Sequence, residues 1–117
     1  METNDPNLQK FLSAYINCAL WSSTAEDSDK SLENYVLSEE AKTKMLTDCK
    51  AFLEKNEAMI GDRLLDAGHD FWLTRNGHGA GFWDGDWSEH GDALTEASKT
   101  FKECDLYVGD DQLVYIM

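Results

Sequence analysis

The first amphipathic pattern in the chain lies near the N-terminus, where apolar residues recur at intervals of three and four. They are Leu8, Phe11, Leu12, Tyr15, Ile16, Ala19 and Leu20. This spacing places them on one face of an α-helix. Asp5 stands at the N-cap position and Pro6 at the first helical position, so we predict a helix from about Pro6 to Trp21.

A second helical pattern occupies the middle of the chain. Ser38, followed by two glutamates, is typical of a helix N-terminus, because the hydroxyl caps the first turn and the acids complement the helix dipole. The pattern continues to about Ile60, and Gly61 is expected to end the helix. Its apolar face consists of Met45, Cys49, Phe52, Leu53 and Met59.

The stretch HDFWLTRNGHGAGFWD, residues 69–84, carries two aromatic runs around a glycine-rich centre. Residues 71–74 have strand propensity, and Asn-Gly at 76–77 is a strong hairpin signal, because a type I′ turn requires positive φ at both central residues. We therefore predict an antiparallel hairpin. Two readings of its glycine-bearing face stay open. Either the glycine gap is covered, by the Trp72 indole or by a closely packed helix, or an exposed aromatic platform is formed by Trp72, Trp83 and Trp87.

The C-terminal region predicts a third helix and a second hairpin. Ser88 or Asp92 is a candidate cap for a helix with inward apolar residues at 94, 97 and 101. Two strand-like runs, Leu106–Val108 and Leu113–Ile116, flank the turn GDDQ. The expected fold class is α+β: a small antiparallel sheet of about four strands, in two hairpins, packed with about three helices.

Composition bounds the class of protein. At 117 residues with 42% hydrophobic content, the chain predicts one globular domain over residues 1–117. Lys and Arg total 10 and Asp and Glu total 23, a net charge of −13. Such a field repels nucleic acid and membrane surfaces and attracts basic proteins. The polar N-terminus has no apolar signal core, so a cytoplasmic location is expected.

Candidate metal and catalytic residues occur without a recognisable spacing. The histidines at 69, 78 and 90 lie near several aspartates, and Asp84-Gly-Asp86 begins like a calcium loop. Glu89, however, occupies the position of the required glycine. The three cysteines form no paired motif, which favours buried reduced thiols. We predict no catalytic residues, no metal, no cofactor and no enzymatic activity.

Several segments resemble a family of small proteins met mainly in bacteriophage and prophage genomes. They are ALWSS, AGHDFWLTRNGHGAGFWD, GDALTEASK and DLYVGDD. The resemblance runs from about Trp21 to the C-terminus and implies a phage accessory protein acting in the bacterial cytosol, without implying a reaction. The family often reads GDDG where this chain has Gln112, but the preceding aspartates still favour a turn.

Charge and resemblance together predict a protein that binds and inhibits a host nucleic-acid-handling or defence complex, of restriction, CRISPR or nuclease type, by DNA mimicry. The expected partner is a host protein with a basic groove, with no direct nucleic acid and no membrane. The predicted partner-binding residues are Asp84, Asp86, Glu89, Asp92, Glu96, Asp110 and Asp111, with Trp72, Trp83 and Trp87 as apolar anchors.

Two other hypotheses stay open. One is a small metal- or ligand-binding protein or enzyme centred on His69, His78 and Asp84, because histidine, glycine and tryptophan are concentrated there. The other is a structural or assembly factor that forms a homodimer through exposed aromatic residues.

Overall fold

The computed structural model describes residues 2–23, 32–77, 81–82 and 87–116. Within these ranges the fold is α+β, and a short 3₁₀ turn, Ser88–His90, precedes the last helix. The elements in chain order are α1 (Pro6–Ser22), β1 (Val36–Leu37), α2 (Glu39–Ile60), α3 (Leu64–Arg75), α4 (Gly91–Lys99), β2 (Leu106–Val108) and β3 (Leu113–Ile116). None of the helices in the described ranges is long and apolar enough to cross a membrane.

The first two predicted helices are confirmed together with their caps. The Asp5 carboxylate accepts hydrogen bonds from the backbone N–H groups of the first turn of α1, at 2.9 and 3.3 Å. Ser38 Oγ accepts from the N–H of Ala41 at 3.1 Å. Gly61 ends α2 with a φ of +61°, and its N–H donates to the Glu57 carbonyl. Short polar side chains and glycine therefore fix these helix ends.

The hairpin predicted over residues 71–83 is wrong, because residues 71–75 belong to α3. All five of these residues are buried, so the C-terminal half of α3 lacks the exposed polar residues that mark a surface helix. The periodicity of a short buried apolar run does not distinguish a strand from a helix. Asn76 is the C-cap, and Gly77 follows with a φ of +71°. The positive φ signalled by Asn-Gly thus ends a helix instead of forming a type I′ turn.

The second predicted hairpin is confirmed, but the four-stranded antiparallel sheet is wrong. Among the described residues, the sheet has three strands in the order β1–β3–β2. β2 and β3 pair antiparallel across the GDDQ turn, and β1 adds a parallel strand. The N–H of Ser38 donates to the Val114 carbonyl at 2.8 Å, which fixes the sheet to the start of α2.

The core forms where α1 and α3 cross and where α2 and α4 pack onto them. A Cβ atom on Gly68 would lie 2.3 Å from the Phe11 carbonyl oxygen, so the helices approach closely only because residue 68 is glycine. Phenylalanine rings fill the space between the helices, and the Phe52 and Phe71 centroids are 4.1 Å apart. The fully buried phenylalanines are Phe11, Phe52, Phe71 and Phe82.

Candidate functional site

The C-terminal region carries an acidic strip, defined here as the carboxylates between residues 87 and 116. Its members are Glu89, Asp92, Glu96, Glu103, Asp105, Asp110 and Asp111, and all seven are exposed. Only Lys99 and Lys102 oppose them in this range, which leaves a net charge of −5 over 30 residues. The other 70 described residues carry a net charge of −4. The negative charge of the described residues is therefore concentrated in the strip.

The backbone that carries the acidic strip passes α2 near both of its ends and near its middle. The Trp87 ring lies 4.0 Å from the guanidinium carbon of Arg63, just beyond the C-terminal end of α2. Phe101 packs on Phe52, inside α2, with ring centroids 5.9 Å apart. The sheet then meets the start of α2 at Ser38. A helix of 22 residues is about 33 Å long, so the strip extends over about that distance.

Within α4 the acids share one side of the helix. Asp92 and Glu96 are one turn apart and exposed, whereas Leu94 and Ser98 are fully buried. The burial of Leu94 agrees with the predicted inward face. Asp92 lies inside the first turn, and the N-cap position, His90, makes no side-chain capping hydrogen bond. The capping role considered for Asp92 is therefore not seen.

The tryptophans expected as surface anchors behave differently. Trp72 is 2% exposed and donates from Nε1 to Ser22 Oγ at 2.9 Å. Trp87 is 4% exposed and donates from Nε1 to the Asp70 carboxylate at 2.7 Å. Both indoles lie in the core with their N–H groups satisfied, which corrects the expectation that they form an exposed platform. Trp83, Asp84 and Asp86 lie outside the described residues.

Other aromatic side chains, which the sequence did not indicate as surface residues, are exposed. Trp21 is 62% exposed at the end of α1. Tyr107 is 45% exposed and pairs across the hairpin with Tyr115. The alternation in LYV and LVYI would have placed both tyrosines on one sheet face. It could not indicate whether that face points outward.

A buried arginine joins α3 to α2 and to the segment after α4. Arg75 Nη1 donates to Asp48 at 2.8 Å and to the Tyr15 hydroxyl at 3.1 Å. Its Nε and Nη2 donate to the carbonyls of Lys102 and Phe101, at 2.9 and 2.7 Å. Burial alone would lower the pKa of Arg75, but the neighbouring Tyr15 and Asp48 raise it, so the guanidinium stays charged. This network fixes the backbone where the acidic strip turns from α4 toward the sheet.

The three cysteines are buried and form no disulfide, as the sequence predicts. Burial raises the pKa of each thiol, and for Cys18 it raises the pKa to about 12, assisted by the negative charge of Asp70. A thiol that stays protonated is a poor nucleophile and a poor metal ligand. The cysteines therefore belong to the core and supply no reactive group.

A groove of about 710 Å³ lies between α1 and α3. His69 lines it together with Asp66, and the His69 ring lies 3.5 Å from the Asp70 carboxylate. His78 and Asp84, which the ligand-site hypothesis places with His69, lie outside the described residues. Among the residues described, no group of three or more His, Cys, Asp or Glu side chains is arranged to hold a metal ion.

Comparisons with protein-family models, with curated proteins and with solved structures give no match. The phage family thus stays a prediction from the sequence motifs.

Proposed function

We propose that this protein is a phage-encoded acidic accessory protein that occupies the basic groove of a host nucleic-acid-handling or defence complex and inhibits it. The observation that carries the proposal is the acidic strip. More than half of the net negative charge of the described residues lies in 30 residues that follow α2. An acidity needed only for solubility has no reason to collect along one element.

The charge density of the strip favours a particular kind of groove. A net charge of −5 over about 33 Å is one charge per about 7 Å. Duplex DNA carries one charge per about 1.7 Å of axis, and a single strand one per about 3.4 Å. The linear charge density of the strip is thus about half that of a DNA single strand and about a quarter of that of a DNA duplex. A groove that holds a single backbone is the better match.

Electrostatic attraction between the strip and a basic groove acts mainly on the rate of association. Complementary charge raises the association rate, and the effect weakens as salt screens the field over about 10 Å at 0.1 M ionic strength. Exposed carboxylates add little affinity individually, so the strip needs apolar contacts beside it for a stable complex.

The proposal is tested by measuring DNA degradation and DNA binding in a bacterial host lysate as the purified protein is added. The strip variant replaces Glu89, Asp92, Glu96 and Asp110 by the corresponding amides. The matched control variant replaces Glu2, Glu39, Glu54 and Glu57, which are exposed and lie outside the strip. Both variants change the net charge from −13 to −9.

We expect wild type and control variant to suppress one nucleic-acid-directed activity, and the strip variant to have lost most of that effect. If the wild-type protein changes no such activity, the proposed inhibition is wrong. If the two variants are equally impaired, total charge and not the strip is responsible.

A further inference from the structure

The outward face of the small sheet is apolar, although that face of a sheet is ordinarily polar. We name it the tyrosine face; its members are Val36, Tyr107, Leu113 and Tyr115, each exposed or half-buried. The opposite face packs against the core through Leu37, Leu106 and Val114, which are buried. The sheet therefore presents apolar side chains to both sides.

The Tyr115 ring is held in place before any partner arrives, and the Tyr107 ring stacks on it. Tyr107 and Tyr115 are directly paired across the strands, with ring centroids 5.6 Å apart and ring planes within 21° of parallel. The Tyr115 hydroxyl donates to the Asp111 carboxylate at 2.6 Å. A Cβ atom on Gly109 would lie 2.6 Å from Tyr115 Cε1, so the ring rests over backbone that only glycine leaves open. Fixed rings lose little conformational freedom on binding.

Negative charge surrounds the tyrosine face. Asp110 and Asp111, members of the acidic strip, form the turn between its two strands. The Glu40 carboxylate is close enough to act electrostatically on the Tyr115 hydroxyl. The face of an aromatic ring is itself electronegative and attracts cations. Ring faces and carboxylates thus favour the same occupant, a cation with a flat apolar surface.

We propose that the tyrosine face binds an arginine side chain of the basic partner, whose guanidinium stacks on the outer face of the Tyr107 ring and pairs with the carboxylates of the β2–β3 turn. Arginine fits better than lysine, because a planar guanidinium stacks on a ring and offers two parallel donors to a carboxylate, whereas an ammonium group is compact and strongly hydrated. The inference rests on the proposed function, since it places one of the partner's basic side chains at one end of the acidic strip.

The test uses three synthetic peptides of equal length that contain two adjacent arginines, lysines or citrullines. Binding to the full chain is measured by calorimetry at low salt, and the contact site by the amide chemical shifts of wild-type protein. We expect the arginine peptide to shift the amides of Tyr107, Gly109 and Tyr115. The lysine peptide should bind several-fold more weakly, and the neutral citrulline peptide should not bind.

The Tyr107→Leu variant keeps an apolar strand residue and removes one ring. It should weaken binding of the arginine peptide about fivefold, the equivalent of about 1 kcal/mol for one exposed cation–π contact. The matched control is Trp21→Leu, which removes an exposed aromatic side chain from the end of α1, outside the tyrosine face. It should leave binding of the arginine peptide unchanged.

The inference is overturned if arginine and lysine peptides bind equally, shift mainly the amides of α4, and bind Tyr107→Leu as they bind wild type. That result would leave the proposed function standing, because the strip would still attract cations. If neither the arginine peptide nor the lysine peptide binds, the inference is also overturned. The lysate assay tests the proposed function independently.

Discussion

Among single residues, Arg75 has the largest structural role. It occupies a nearly inaccessible position, directs donors to Asp48 and Tyr15, and holds two backbone carbonyls beyond α4. Asp48 also pairs with Lys44, at 3.0 Å, but the Lys44 side chain is 46% exposed. The two ion pairs share one carboxylate and differ in burial, which makes them a natural comparison.

We expect Arg75→Met to lower the free energy of unfolding by about 3–5 kcal/mol, because it leaves the buried Asp48 carboxylate without its main partner. Lys44→Met should cost less than about 1 kcal/mol, as is usual for an exposed ion pair. Urea denaturation of both variants measures the difference. Equal losses would mean that the buried network does not stabilise the fold as described.

The buried thiols make stability sensitive to alkali. The pKa of Cys18 is raised to about 12 from its ordinary value of 9.0. A group whose pKa is raised on folding stabilises the protein below its unfolded pKa, and this contribution is lost as pH rises toward the folded pKa.

The free energy of unfolding should therefore fall as pH rises from 9.0 to about 12, because the unfolded thiol ionises there and the folded one does not. In Cys18→Ala the free energy of unfolding should fall less steeply with pH, and the difference in slope should correspond to at most one proton per molecule. Urea denaturation at a series of alkaline pH values gives both slopes. An unchanged slope in the variant would show that Cys18 ionises equally in both states.

The sequence predicts single residues well when their role is local. Asp5, Ser38 and Gly61 have their predicted capping roles because each acts on the backbone within a few residues. Arg75 was not predicted as a core residue. Its partners lie 27 and 60 positions away, and arginine is rarely buried unless such partners are present.

At the scale of elements, α3 determines the architecture. Its packing against α1 requires the close approach at Gly68, where an added Cβ atom would meet the Phe11 carbonyl and the Tyr15 nitrogen. These are backbone atoms, so a larger side chain at position 68 can be accommodated only if the helices separate.

Gly68→Ala should lower the free energy of unfolding by about 1–3 kcal/mol through this overpacking. A loss of stability would indicate close packing at position 68, because in a helix without such packing the change from glycine to alanine would stabilise the fold by about 1 kcal/mol. Leu65→Ala, at a 60% exposed position of the same helix, should change stability by less than about 0.5 kcal/mol. A thermal unfolding series of the two variants measures both effects, and a stabilised Gly68→Ala would contradict the packing of α1 on α3.

Element type was predictable from sequence where the polar pattern was complete. α1 and α2 each have one apolar face and clear end signals, and a clear turn signal separates β2 from β3, so each was predicted. The C-terminal half of α3 is buried on every side, so residues 71–74 carry no alternation that separates a helix from a strand. Because residues 71–74 were predicted to form a strand of a hairpin, Trp72 was predicted on an exposed sheet face, whereas it is buried in α3.

At the scale of the whole molecule, the charge distribution is the dominant property. The total of −13 was known from the sequence, and so was the excess of acids after residue 83. The sequence could not indicate that these residues return along α2, because that course depends on contacts such as Arg63 with Trp87 and Phe52 with Phe101. It also gave no indication that the tyrosine face points outward.

Self-repulsion should make the fold sensitive to salt. We expect the midpoint of thermal unfolding to rise with sodium chloride, because screening weakens the repulsion among the carboxylates. The rise should be smaller in the strip variant than in the control variant, since the repulsion is concentrated in the strip. Equal rises in the two variants, measured by circular dichroism, would indicate an evenly distributed field.

Affinity capture shows whether the acidic strip occupies a groove built for a nucleic acid backbone. Wild-type protein, the strip variant and the control variant are each immobilised, exposed to host lysate at low salt, and eluted with single-stranded DNA, duplex DNA or high salt. We predict one nucleic-acid-handling complex on the wild-type and control proteins, released by single-stranded DNA and by salt, and absent from the strip variant. A complex retained equally by all three proteins, or released by neither DNA nor salt, would mean that the strip does not occupy such a groove.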